Sequence, residues 1–272
     1  MYNRLLKTLA FTIIFSLSVS SNALAFEDLK FTLGVKSWVA QWDTFTASQN
    51  NIQELKKAEE SILIPTATIK YKKLFLSSSY YKQDGFAFEP TTFYWYTGTV
   101  IENTYAANAE RSEFDVTLGY RIIPQVALSI GYKKIDITGN YEVNSYGVAA
   151  PGVRGPFISQ TTGTFVDNFT GAYLGANFAS AFNRYLAGYG TFAYGILDEE
   201  YTDSADGFSN SDETSYISTE VGLAYMPAKW VNFTLAYRFQ TIESKAKGAS
   251  WFGIEEGEDR MRGLMLGANV TF

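Results

Sequence analysis

The chain has 272 residues and a net charge of −6, and it contains no cysteine and no histidine. The lack of cysteine excludes a small scaffold held together by disulfides. The lack of histidine removes the usual general base near neutral pH and the commonest zinc ligand, so we expect no enzyme activity, no cofactor and no metal site. Net acidity without a basic cluster argues against nucleic-acid binding.

The N-terminus has the layout of a secretory signal peptide. Two basic residues precede an apolar run and a cleavage-type triplet, which are Arg4, Lys7, Leu9 to Val19, and Ala23-Leu24-Ala25. The apolar run is shorter than the ~20 residues that span a bilayer as a helix. Residues 1–25 are therefore predicted to be cleaved on export, and an uncleaved anchor helix is the alternative.

The composition of the remaining chain favours membrane-spanning strands over membrane-spanning helices. The chain holds 19 Tyr, 21 Phe and 22 Gly but only 6 Pro. No run after residue 25 approaches the ~20 apolar residues of a membrane helix. A membrane strand needs only every second residue to be apolar. Residues 26–272 are therefore predicted to form a single transmembrane β-barrel.

Ten segments alternate apolar side chains with small or polar ones, as strands between lipid and a barrel interior do. In chain order they cover about 29–42, 62–71, 74–83, 114–122, 126–132, 172–178, 185–197, 217–225, 231–239 and 260–272. The alternation is cleanest in the ninth segment, where Val231, Phe233 and Leu235 alternate with Asn232 and Thr234. The prediction is an all-β, up-and-down antiparallel barrel of about ten strands, with eight or twelve as alternatives.

The connections between these strands alternate between short and long. The long ones are 43–60, 84–111, 139–163, 198–214 and 243–259. Outer-membrane barrels keep short turns on the periplasmic side and long loops outside, so we expect five long extracellular loops. Helical turns in the first loop, an aromatic strand extension over 86–96 and an inward fold of 139–163 stay open.

The last thirteen residues, Arg260 to Phe272, place Leu264 and Leu266 on one face and Gly263 on the other. This ending resembles the closing strand of Gram-negative outer-membrane β-barrels, whose last residue is typically Phe. The resemblance implies a position in the cell outer membrane, contact with its lipid and lipopolysaccharide, and Phe272 as part of the signal that the barrel-assembly machinery reads. The edge strand of a soluble sandwich is the alternative.

Charged side chains of both signs occur at positions of inward parity. The candidate lumen-lining residues are Lys36, Glu113, Asp115, Arg121, Lys133, Glu220 and Arg238. Such charges either pair across a narrow barrel and fill it, or line a polar conduit and set its selectivity. Both interpretations remain open from the sequence.

Two arginines, Arg260 and Arg262, share the lipid-facing parity of Leu264 near the expected outer interface. Arginine suits bidentate recognition of phosphate. We therefore name both as candidate contacts of lipopolysaccharide phosphates, with solvated rim charges as the alternative.

The function predicted from these features is a small porin-like channel or passive conduit for small solutes. A surface barrel that binds an extracellular ligand or mediates adhesion through its loops is the alternative, followed by a structural envelope protein. Omptin-type proteases also have ten strands, but they use His with carboxylates. The resemblance to omptins therefore ends at the strand number, and we predict that the chain is not an enzyme.

Overall fold

The computed structural model describes residues 28–48, 51–89, 91–96, 99–150, 153–205, 207, 209–245 and 254–272. The strands are β1 (Leu29–Ser48), β2 (Asn51–Tyr71), β3 (Leu74–Phe88), β4 (Thr91–Tyr96), β5 (Thr99–Ile123), β6 (Val126–Ala150), β7 (Val153–Ala181), β8 (Leu186–Asp203), β9 (Ser209–Ala228), β10 (Val231–Lys245) and β11 (Ile254–Thr271). The predicted signal peptide lies outside the described residues. Within the described part, no helix is long and apolar enough to cross a membrane.

Ten of these strands form a closed antiparallel ring. Each pairs with its neighbours in the chain, while β3 pairs with β5 and β1 pairs with β11 to close the barrel. The remaining strand, β4, pairs only with the start of β5, beyond the end of β3. The ten-stranded, up-and-down barrel is thus confirmed. The aromatic segment 86–96 is a strand extension of its neighbours.

The closing seam joins the first and last strands along nearly their whole length. The β1–β11 register runs from Thr32↔Thr271 to Ser48↔Ile254. At its lower end, Phe272 N donates to Phe31 O at 2.8 Å and Phe31 N donates to Phe272 O at 3.2 Å. The terminal residue is therefore held in the seam by its backbone, while its ring is half-exposed.

The strands continue far beyond their predicted ends, and this corrects the prediction of long irregular loops. Between β1 and β2 only residues 49–50 separate the strands, so no helical turn forms in the described part of 43–60. Likewise, 139–163 is a β6–β7 hairpin and does not fold inward over its described residues. The prediction relied on apolar alternation, which stops where the outer face meets water. Ladder hydrogen bonds continue beyond this point with polar residues on the outer face.

An apolar belt surrounds the half of the barrel that carries the short turns. On β6, for example, Leu128, Ile130 and Tyr132 point outward and are about half-exposed. The next outward residue is Lys134. Outward polar residues limit the belt at the same level on other strands: Gln41, Glu59, Lys82, Ser112, Asp198 and Arg262. About ten residues of each strand therefore match the apolar band of a membrane barrel.

The part of the barrel above the belt is taller on one side. Strand β6 continues to Ala150, whereas β8 ends at Asp203, only seven residues beyond Ile196 at the belt. We call the tall part the upper sheet. It consists of β4, residues 99–108 of β5, 139–150 of β6 and 153–164 of β7.

The seam tolerates no side chain at Gly263. A Cβ there would lie 1.8 Å from the carbonyl oxygen of Val39, which belongs to the backbone of the paired strand. We predict that Gly263→Ala lowers the free energy of unfolding by about 1–3 kcal/mol, because the two strands must separate locally. Urea unfolding in detergent micelles measures this.

The matched control is Gly190→Ala on β8, where the nearest atom to an added Cβ is at 3.7 Å. We expect little change there. Equal stability of Gly263→Ala and Gly190→Ala would contradict the close approach at the seam.

Candidate functional site

The interior of the barrel is crossed by a network of ionised side chains centred on Glu113. Lys133 Nζ lies 3.2 Å from Glu113 Oε2 and 3.1 Å from Asp115 Oδ2. Glu113 and Lys133 are buried. A buried carboxylate is stable only when paired and hydrogen-bonded, and this pair meets that requirement between the neighbouring strands β5 and β6.

Further partners of Glu113 reach it from across the lumen. Gln240 Nε2 donates to Glu113 Oε2 at 3.0 Å, and Arg238 Nη2 lies 3.9 Å from Glu113 Oε1. Both come from β10, which is separated from β5 by four strands in either direction around the ring. Tyr81 on β3 donates its hydroxyl to Glu113 Oε1 at 2.9 Å. The two contacts from β10 bridge opposite walls of the barrel, whereas Tyr81 lies on the strand next to β5.

Aromatic rings fill the space around the charges. The guanidinium of Arg238 lies 4.8 Å from the ring centroid of Trp38, and Lys133 Nζ lies 5.2 Å from that of Tyr216. Cations over aromatic faces gain electrostatic stabilisation where water is excluded. The lumen at this level is therefore packed with side chains.

Two more predicted lumen residues pair nearer the short turns. Lys36 Nζ lies 3.0 Å from Glu220 Oε1, and Tyr189 donates its hydroxyl to the same oxygen at 2.8 Å. Arg121 stands apart from this pair, beside the cation Lys70. The structure thus brings six of the seven predicted residues into two ion-pair groups and leaves Arg121 outside them.

A second interior layer, which sequence reasoning missed, lies above the Glu113 network. Arg111 Nη1 lies 2.7 Å from Asp259 Oδ2, and the indole of Trp42 donates to the other carboxylate oxygen. Trp42 packs edge-on against Phe86 and Phe88, with ring centroids 4.8 Å and 5.1 Å apart. The sequence pattern predicts loops at Arg111 and Asp259. It therefore does not predict that their side chains point into the barrel.

Carboxylates also gather inside the barrel above the belt. Burial, with Glu199 and Asp259 nearby, raises the pKa of Asp167 to about 8. Burial likewise raises the pKa of Glu199, although Ser244 donates to it at 2.6 Å. Within the part of the chain that the structure describes, no group of three or more His, Cys, Asp or Glu could hold a metal ion.

The two candidate lipopolysaccharide contacts lie on the outer face at the upper limit of the belt. Arg262 Nη2 is 3.0 Å from Asp43 Oδ2, and its Nε donates to Gln41 at 3.2 Å. Arg260 pairs with Glu258 at 2.7 Å. Both arginines remain partly exposed. Each already has a carboxylate partner within the chain, so a phosphate would have to share or replace that partner.

Comparison with known proteins identifies a similar fold but no family. No family model and no curated protein matches the chain. The outer membrane protease OmpT from Escherichia coli is similar with a TM-score of 0.67 and 12% identity, over 93% of this chain and 100% of that one. Neisserial surface protein A gives a TM-score of 0.34 and 11% identity, over 89% and 97%.

The attachment invasion locus protein Ail of Yersinia pestis gives a TM-score of 0.31 and 11% identity, over 90% of this chain and 99% of that one. Of these three likenesses, the one to OmpT exceeds a TM-score of 0.5, and at 12% identity it shows the fold alone. The ten-stranded ring and the apolar belt together define a Gram-negative outer-membrane β-barrel. The predicted location in the outer membrane agrees with this.

Removing the cation of Lys133 tests how much the network contributes to the stability of the barrel. We predict that Lys133→Ala lowers the free energy of unfolding by about 3 kcal/mol or more, because Glu113 and Asp115 both lose their nearest cation away from water. Lys82→Ala is the matched control, since Lys82 pairs with Glu110 at 2.6 Å on the exposed face. Little loss is expected there because solvent screens an exposed ion pair, and equal losses by urea unfolding would contradict the prediction.

The pKa of Asp167 predicts a pH dependence of stability. The folded state keeps its proton up to about pH 8, whereas the ordinary value is 3.8. Folding therefore takes up a proton between these values, and this contribution to stability falls as pH rises through the window. Asp167→Asn removes the effect.

The measurement is urea unfolding of both proteins from pH 4 to pH 9. We expect the stability of Asp167→Asn relative to the wild type to increase with pH by up to a few kcal/mol, since one pKa unit corresponds to about 1.4 kcal/mol. Asp198→Asn, on the exposed face of β8, controls for the change in net charge. A pH-independent difference for Asp167→Asn would contradict the assignment.

Proposed function

We propose that this chain is a surface-exposed binding barrel, closed to solutes, that acts through the part standing outside the membrane. The observation that carries the proposal is the Glu113 network, whose contacts join β5 to the opposite strand β10. A conduit needs a continuous polar opening of at least the size of its solute. Charges that neutralise one another across the lumen and fill it support a closed barrel instead of the porin-like channel.

The upper sheet supports a binding role. Its β6–β7 tip exposes Val153, Phe157 and Ile158, each at more than half of its surface. These residues lie far above the apolar belt, so membrane lipid does not account for them. Exposed apolar groups in such a position are typical of interaction sites.

Side-chain contacts also brace the described part of the tip, and bracing of this kind lowers the entropic cost of binding. Arg154 stacks 4.5 Å over the ring of Tyr146, and Tyr146 contacts Phe157 with ring centroids 5.7 Å apart. Arg154 Nε donates to Glu102 at 3.0 Å. An aromatic and cationic tip braced by these contacts suits recognition of a ligand outside the cell.

Three further assignments belong to this proposal. The short turns face the periplasm, where Phe272 forms part of the signal for the barrel-assembly machinery. Arg260 and Arg262 lie at the level of lipopolysaccharide phosphates. The absence of His, which the barrel proteases require, supports a function without catalysis, although OmpT, which has a similar fold, is a protease.

Planar-bilayer recording tests the closed barrel. We predict that the purified wild-type protein gives no discrete conductance steps in 1 M KCl, because ion-paired and aromatic side chains bridge the lumen. A general porin inserted under the same conditions is the positive control. Reproducible steps, with ion selectivity that changes in Arg238→Ala, would contradict the proposal and return the assignment to a channel.

A further inference from the structure

The upper part of β7 forms an open edge of the upper sheet. Its pairing with β8 begins only at Phe165↔Asp203, whereas its pairing with β6 continues to Ala150↔Val153. Among the described residues, Val153 to Gly163 therefore have a strand on one side only. At about 3.3 Å per residue, this edge is roughly 35 Å long.

The hydrogen-bond pattern identifies which backbone groups face the open side. Ser204 N donates to Thr164 O at 3.0 Å, and Thr164 N donates to Ser204 Oγ at 2.8 Å, so Thr164 directs its backbone groups away from β6. Alternate residues of an antiparallel strand direct these groups to the same side. The register is unbroken from Thr164 to Ser159. Thr162 and Gln160 therefore present their N–H and C=O groups at the open edge.

This stretch lacks the features that usually protect a sheet edge. Natural edges carry charges, proline or bulges that prevent another strand from pairing. Residues 159–164 are Ser, Gln, Thr, Thr, Gly and Thr, with no charge and no proline, and every residue from Pro156 to Thr162 is exposed. Further up, Pro156 and register shifts opposite Tyr146 and Val148 interrupt the regular edge. The unprotected window is about five residues long.

We propose that the β7 edge from Ser159 to Gly163 docks an extended segment of another protein, which adds to the upper sheet as a further strand. This inference rests on the proposed function and names the class of its ligand. Alternating donors and acceptors along a strand are matched by another extended backbone. The segment carries apolar side chains at the end that lies beside Phe157 and Ile158, which are both exposed.

A second copy of the chain in the same membrane does not fit this edge. Two such copies are related by rotation about the membrane normal, and barrel strands tilt by about 35–45° from that normal. Their β7 strands would then cross at about twice the tilt, an angle at which no ladder of hydrogen bonds forms. The partner is therefore a segment that approaches from outside the membrane.

Proline substitution separates the backbone contribution from the side chains. Gln160→Pro and Thr162→Pro remove an N–H group from the open edge but leave the bonds to β6, which use the intervening residues. Gln160→Ala and Thr162→Ala are the matched controls because they keep both N–H groups. The full mature protein in nanodiscs is the bait, and a displayed library of random linear 12-residue peptides is the probe.

We expect peptides selected on the wild type to bind both Ala variants equally well and each Pro variant about tenfold more weakly. Equal binding to the Pro variants, or no enrichment over empty nanodiscs, would overturn the proposal. So would hydrogen exchange that shows the Gln160 and Thr162 amides already protected in the isolated protein. Protection of the Val143 amide on β6, which pairs with Thr161, verifies that each Pro variant is folded.

A cysteine variant tests whether a second copy of the chain occupies the edge. The chain has no native cysteine, so Thr162→Cys provides a unique thiol. Efficient disulfide-linked dimers in the membrane would identify a second copy as the occupant and overturn the proposal.

The conductance recording tests the proposed function independently of peptide binding. A conducting wild type with proline-sensitive peptide binding would reject only the closed barrel. A silent wild type with proline-insensitive binding would reject only the edge.

Discussion

The rest of this structure depends on keeping the ionised carboxylate of Glu113 paired inside the barrel. Its partners come from β3, β6 and β10, so a register slip in any of these strands would remove a partner from a charge that lies away from water. The same contacts that fix the register also fill the lumen. Under the proposed function, the interior serves stability and the surface used for binding lies on the outside of the barrel.

That outside surface has two environments along the same strands. In a membrane barrel lipid covers such a belt, so exposed apolar residues such as Leu235 and Leu266 need no protein partner. Above the belt the outer face of a strand meets water, and polar residues replace the apolar ones on that face without ending the ladder. Strand length beyond the membrane is therefore free to vary, and the side containing β6 and β7 has become the tallest described part.

Apolar alternation predicted the ten strands and the seam because lipid demands an apolar residue at every second position. It could not predict the strand extensions, since water makes no such demand there. Parity also placed Glu113, Asp115 and Lys133 inside, but the link from Glu113 to Gln240 depends on the three-dimensional closure of the ring. Arg111 and Asp259 show most clearly what alternation cannot predict. Their inward orientation follows from strand alternation only once their segments are known to be strands.

The central claim is that the Glu113 network seals the lumen, and single cysteines on either side of it test this most directly. Thr68→Cys lies inside the barrel near the short turns, and Ser244→Cys lies inside it above the belt. Intact cells are treated with a membrane-impermeant maleimide, and detergent-solubilised protein is the control. The account predicts that Ser244→Cys is labelled in cells and that Thr68→Cys is labelled only after solubilisation. Labelling of Thr68→Cys from outside intact cells would contradict it.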